Sequence, residues 1–203
     1  MDRRDFLRAL ALAGAAATIK SQGGMDLLAQ TVQNTKTGKA VDMVAVMGGE
    51  PVAMLQRALA ELGGMSKFVK KGYKVALKPN IGWDRVPERA ANTNPELVAE
   101  VVRQCLAAGA KEVLVFDHTC DEWRKCYKNS GIEAAAKAAG ANVIPGNEES
   151  DYRAISLPNG KKLKEAKVHK AILDSDVWIN LPILKHHGGA NLSISMKNLM
   201  GIV

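Results

Sequence analysis

From Val41 onward the chain alternates short β-rich runs with helical patterns, and no other feature limits its fold so tightly. Twice a helical stretch ends at a glycine, passes through Gly-Ala and enters a strand, at Gly109-Ala110 and at Gly140-Ala141. Strands separated by whole helices pair in parallel through crossovers, and a parallel sheet needs its faces covered. The expected fold is α/β: three layers, a mostly parallel sheet with helices on both faces.

Local signals place the elements. Val41 to Met47 is predicted as a first strand, and Pro51 to Leu62 as a helix with Val52, Leu55, Leu59 and Leu62 on one face. Tyr73 to Lys78 reads as the second strand, followed by a long loop from Pro79 to Thr93. Asn94 is then a good N-cap with Pro95 at the first helical position, and Val98, Val101, Val102 and Cys105 supply a buried stripe. Glu112 to Asp117 is the third strand. Ser130-Gly131-Ile132-Glu133 has the form of a capping box opening an Ala-rich helix, and Asn142 to Pro145 is a short fourth strand. Pro158-Asn159-Gly160 predicts a small hairpin over Ile155 to Lys164, Ala166 to Ile172 reads as helical, and Val177 to Leu181 as a buried strand. Leu192 to Val203 is still periodic and apolar, and the last residue arrives without a cap or turn, so the domain is expected to be incomplete at this end.

The first thirty residues carry a different pattern. Asp2-Arg3-Arg4-Asp5-Phe6-Leu7-Arg8 precedes a mildly apolar run from Ala9 to Ile19, too short for a bilayer span of about twenty residues. Paired arginines, Phe-Leu, a basic residue and a weak hydrophobic run resemble the signal read by the bacterial twin-arginine translocase. Residues 1–30 are therefore expected to be an export signal, 31–40 a linker and 41–203 the α/β domain. The expected destination is the periplasm, and no stable membrane span is expected.

The net charge of +7 points to an anionic partner, but aromatics are only 4% of residues and Lys161 to Lys170 contains none. Nucleic acid is accordingly not expected. Cys105 sits on the apolar helix face and reads as core. Cys120 and Cys126 have a spacing compatible with a bridge in an oxidising compartment and with much else. No Cys-x-x-Cys pair is present for zinc or an iron–sulfur cluster. Gly-x-Ser-x-Gly, Walker, His-Glu-x-x-His and Gly-x-Gly-x-x-Gly signatures are also missing.

Ligands of open parallel sheets bind beyond the carboxyl ends of the strands, where loops and helix amino termini gather. Three predicted strands end in polar residues: Lys78-Pro79-Asn80, Asp117-His118-Thr119, and the run from Pro182 through Lys185-His186-His187 to Gly188-Gly189. Lys197 and Asn198 follow closely, and the helix opening at Asn94 adds backbone N–H groups. Such a rim suits a small anionic ligand, a carboxylate or phosphate, or a metal held by candidates His118, His186 and His187. Neighbouring histidines on an extended chain point opposite ways, so one of His186 and His187 should face the site. His169, in a Lys-rich stretch, is expected at the surface.

These residues resemble a specific family. Lys78-Pro79-Asn80, Asn92-Thr93-Asn94-Pro95, Ala108-Gly109-Ala110 through Asp117, Asp176 through Lys185 with His187, and Met196-Lys197-Asn198-Leu199-Met200-Gly201 together resemble the bacterial and archaeal family called domain of unknown function 362, over Val44 to Val203. The resemblance implies an α/β fold, an activity without an assigned chemistry, and Lys78, Asn80, Asp117, Lys185, His187, Lys197 and Asn198 as site formers. Some relatives add a ferredoxin-like segment binding 4Fe–4S clusters. This chain lacks those cysteines, so no intrinsic iron–sulfur cluster is expected.

Two functions fit. One is an exported enzyme acting on a small anion in a redox pathway, with Lys78, Asn80, Asn94, Lys185, Lys197 and Asn198 binding and His187 with Asp117 handling protons or a metal. The other is a non-catalytic accessory protein that delivers a ligand or metal to an envelope redox partner.

Overall fold

The computed structural model describes residues 41–203. Four strands form its main sheet: β1 (Lys74–Pro79), β2 (Glu112–Val115), β3 (Asn142–Val143) and β6 (Val177–Leu181). Their order is β3-β2-β1-β6 and every pairing is parallel. The last strand joins beside the first, so β1 lies between β2 and β6, with all three carboxyl ends at one edge.

Alternation along the strands divides the core into two. Val75 and Leu77 of β1 and Val113 and Val115 of β2 pack on one face with Val98, Val101, Val102 and Cys105. The latter four come from helix α2 (Pro95–Ala107). Ile132 and Ala136 of α4 (Ile132–Ala138) complete that layer. Helix α1 (Pro51–Leu62) lies beyond, with Leu55 and Leu59 against the same core. On the other face Ala76, Leu114 and Phe116 meet Ala171 of α5 (Lys170–Leu173), with Ile144, Ile172 and Ile202 at the margin. Helices therefore lie on both faces, as the alternation of patterns predicts. Cys105 is buried in the core as expected, and the three cysteines are free thiols.

The caps explain the firmest boundaries. Asn94 Oδ1 accepts the Leu97 N–H at 3.0 Å, and Pro95 opens α2. At Gly63 the chain turns at φ 97°, a left-handed conformation that ends α1.

Several expectations fail, for identifiable reasons. Val41 to Met47 is not a strand: it has no ladder partner among the described residues, and Val41, Met43 and Met47 are exposed. Ser130 does not open a capping box. It ends a helix absent from the sequence reading, α3 (Trp123–Asn129), and Gly131 at φ 73° turns the chain directly into α4. The predicted helix from Ala166 is instead strand β5 (Glu165–His169), paired antiparallel with β4 (Tyr152–Ser156). Its helix-compatible residues are drawn into the hairpin because their pairing partners lie just across the turn, and only Lys170–Leu173 stays helical. His169 is consequently buried rather than at the surface: it stacks on Phe116 at 3.9 Å between centroids and contacts the Pro145 carbonyl. A second hairpin, β7 (Lys185–His187) with β8 (Asn191–Ser193), follows β6 and leads to α6 (Ser195–Asn198).

Candidate functional site

Lys78 and Asp117 occupy the carboxyl ends of neighbouring strands and meet as a buried ion pair. Lys78 Nζ lies 2.5 Å from Asp117 Oδ1, with side chains 1% and 2% exposed. Each charge has further support. Lys78 Nζ donates to the Pro79 carbonyl at 3.0 Å and to Asn198 Oδ1 at 3.3 Å, while Asp117 Oδ2 accepts the Ile81 N–H at 2.7 Å. The Tyr127 hydroxyl, buried in α3, fixes the Asp117 backbone, accepting its N–H at 2.8 Å and donating to its carbonyl at 2.9 Å. Burial pulls the Lys78 ammonium below its ordinary pKa and pushes the Asp117 carboxyl above its own, and in each case the partner's charge opposes the shift.

Asparagines extend the pair into a network. Asn198 Nδ2 donates to the Lys78 carbonyl at 3.1 Å and to Asn180 Oδ1 at 2.8 Å, and Asn80 Nδ2 donates to Asn198 Oδ1 at 2.9 Å. Lys185 Nζ donates to Asn80 Oδ1 at 2.9 Å and also contacts the Ala91 carbonyl. The long loop after β1 is pinned where it returns: Thr93 Oγ1 accepts the Asn80 N–H and donates to the Leu181 carbonyl, tying β1 to β6. Asn92 clasps the backbone of Trp83 from both sides, its Oδ1 taking the N–H and its Nδ2 giving to the carbonyl.

Over this network lies a cavity of about 190 Å³. Lys78, Asn80, Asp117, Lys185, His187, Lys197 and Asn198 all line it, together with His118. Lys78 is neutralised by Asp117. Lys185 and Lys197 have no carboxylate partner among the described residues, since Lys185 donates to neutral oxygens and Lys197 Nζ reaches only Met200 Sδ at 3.3 Å. Burial holds the Lys185 ammonium below its ordinary pKa. Trp83 forms part of the wall, its ring centroid 5.8 Å from Lys185 Nζ.

The histidines separate. His187 lines the cavity, and its Nδ1 accepts the backbone N–H groups of Gly189 at 3.2 Å and Ala190 at 3.0 Å. That arrangement needs an unprotonated Nδ1 and leaves Nε2 carrying the proton in the neutral ring. His186 does not line the cavity; it lies in a neighbouring groove with Arg85 and Gly188 that shares Trp83, Lys185 and His187 with the cavity wall. His118 meets the Tyr152 hydroxyl at 3.1 Å. Among the described residues no three His, Cys, Asp or Glu side chains gather into a metal-holding group. Asn94 does not line the cavity, its side chain being occupied in capping α2.

Other lining or supporting residues escaped the sequence reading. Asn180, which orients Asn198, is the lone amide in an apolar strand, and that contrast is its signal. Gly201 packs on the ion pair so closely that a Cβ there would lie 2.2 Å from Asp117 Oδ1 and 3.0 Å from Lys78 Nζ. Tyr127 carries no local mark of its role.

The fold and this arrangement define an α/β protein with a lysine-rich cavity, built on a buried ion pair, at the carboxyl edge of a parallel sheet. The chain belongs to the family described as Domain of unknown function (DUF362), whose model matches residues 75–203. It is 32% identical over 156 residues to a thylakoid-associated protein of Synechocystis sp.; the match covers 76% of this chain and 47% of the relative, so the chain spans about half the relative's length. No solved structure matches it.

Proposed function

We propose that this protein binds a small anion, a carboxylate or phosphate, in the cavity over the pair of Lys78 and Asp117. The observation that carries the reading is the charge balance of the cavity wall: three lysines face a single aspartate, and Lys185 is half-buried with only neutral acceptors. A partly desolvated ammonium without a counter-ion is costly, and a bound anion relieves that cost. The volume suits a small anion better than a nucleotide, being below the roughly 300 Å³ at which sites for drug-sized ligands begin.

Within the site, Lys185 and Lys197 hold the charge, Asn80 and Asn198 orient Lys185 and Lys78, and His187 Nε2–H donates a hydrogen bond to the bound group. Asp117, buried beneath, keeps Lys78 charged. An enzyme that holds its anionic substrate with Lys185 and Lys197 and orients it by a hydrogen bond from His187 uses all of these parts. A non-catalytic accessory protein for an envelope redox partner uses the same binding wall without turnover. The paired arginines of residues 1–30 support export through the twin-arginine translocase to the periplasm, although that segment lies outside the described residues.

Thermal unfolding with inorganic phosphate and with succinate tests the binding. The melting temperature should rise with either anion in the wild type, and Lys185→Ala should remove the rise while leaving the ligand-free melting temperature nearly unchanged. A Lys185→Ala protein stabilised as strongly as the wild type would sink the assignment.

A further inference from the structure

The hairpin of β4 and β5 ends in a loop that the cavity does not use. Beyond the last ladder pair, Ser156 with Glu165, the Leu157 N–H donates to the Lys164 carbonyl at 2.7 Å, and the Gly160 N–H closes a turn on the Leu157 carbonyl at 2.9 Å. The chain folds back tightly at this point: a Cβ on Gly160 would lie 1.9 Å from the Leu163 carbonyl oxygen. Lys161, Lys162 and Lys164 are all exposed, and between them the Leu163 side chain is 61% exposed.

Charge at the base of the hairpin is compensated and charge at its tip is not. Lys167 pairs with Glu149 and Arg153 with Asp174, whereas Lys161, Lys162 and Lys164 make no ion pair among the described residues. Glu165 is the one acid in the stretch from Leu157 to Glu165. A lone exposed leucine means little. A leucine flanked in sequence by three exposed lysines without ion pairs is chemically matched to a lipid interface, where the apolar side chain enters the headgroup boundary and the ammonium groups stay with lipid phosphates.

From this juxtaposition we infer that the tip of the hairpin, Lys161 to Lys164, docks the protein peripherally on an anionic lipid surface. No helix among the described residues is long and apolar enough to cross a membrane, so this contact is one of adsorption. Lipid is favoured over nucleic acid because the tip carries an aliphatic residue and no aromatic one on which a base could stack. Each lysine near an anionic membrane strengthens binding about fivefold at low salt.

Co-sedimentation of the full chain with vesicles rich in phosphatidylglycerol, against pure phosphatidylcholine vesicles, tests the assignment. The wild type should sediment with the anionic vesicles alone and be released as salt is raised. The Lys161→Glu, Lys162→Glu, Lys164→Glu variant should bind them at least about a hundredfold more weakly, and Leu163→Ser should weaken binding at unchanged charge. The amino-terminal segment is common to all variants and cancels in the comparison. Lys185→Ala should sediment like the wild type, which separates this surface from the anion cavity. Wild-type protein that ignores the anionic vesicles, a triple variant that binds them equally well, or a Leu163→Ser variant unchanged on vesicles alongside tight binding of duplex DNA would overturn the inference; the last outcome would make the tip a nucleic-acid contact.

Discussion

Replacing Lys78 by Met offers the sharpest test of the buried pair, because the stem is kept and the charge removed. Asp117 would then retain the Ile81 N–H at 2.7 Å but lose the ammonium at 2.5 Å, at a position 2% exposed. Breaking one side of a buried ion pair costs about 3–5 kcal/mol. For a domain of this size that corresponds to a melting temperature lower by roughly 6–20 °C. The pH dependence carries the diagnostic sign. Burial already pushes the Asp117 carboxyl above its ordinary value, and Lys78 is the largest influence holding it down. Without Lys78 the pKa rises further, so the folded state keeps a proton that the unfolded state has released. Between the unfolded value, near 4, and the raised folded value, stability falls as pH rises. The penalty of Lys78→Met should therefore be smaller near pH 5 than near pH 7.5, and should lose that dependence in Lys78→Met/Asp117→Asn. Urea titrations of the three proteins at both pH values measure it. A penalty under about 1 kcal/mol at neutral pH, well below the range for a broken buried pair, or one that does not shrink in acid, would refute the reasoning.

Two further predictions concern other parts of the chain. His169 is buried against Phe116 and burial holds its pKa below the ordinary value, so the folded state resists a proton that the unfolded state accepts; stability should fall as pH drops below about 6.5. His169→Gln should remove that slope from urea unfolding midpoints, and an identical slope in both proteins would assign the pH dependence elsewhere. Export is checked by cell fractionation: Arg3→Lys/Arg4→Lys should leave the protein in the cytoplasm, and periplasmic recovery equal to wild type would exclude the twin-arginine route.

Elements set by local chemistry were legible in the sequence, and elements set by a partner were not. The entry to α2 follows from Asn94 and Pro95 alone, and the apolar strands β1 and β6 follow from runs that only a covered sheet accommodates. Glu165–His169, by contrast, alternates charge and apolarity in a way that helix and strand both tolerate; its pairing with Tyr152–Ser156 decides the matter, and that choice also carries His169 inward. Val41 to Met47 shows the reverse case, a β-prone run that remains without a ladder among the described residues.

The same division runs through the cavity. Lys78, Asp117 and Lys185 could be brought to one rim from the strand-end rule, since parallel strands deliver their carboxyl ends to the same edge. The closure over them could not, because Gly201 and Asn180 gain their roles only when the last residues fold back across β1. The buried pair gives that return its anchor. A buried lysine and aspartate seldom stabilise a fold more than a well-packed apolar pair would, and here burial works against the charge of both. What the pair provides is direction: Lys78 engages Asn198 twice, through its ammonium and through its carbonyl. Asn198 in turn sets the segment carrying Lys197 against the cavity, so the residue most deeply buried in the site positions one of its most accessible charges.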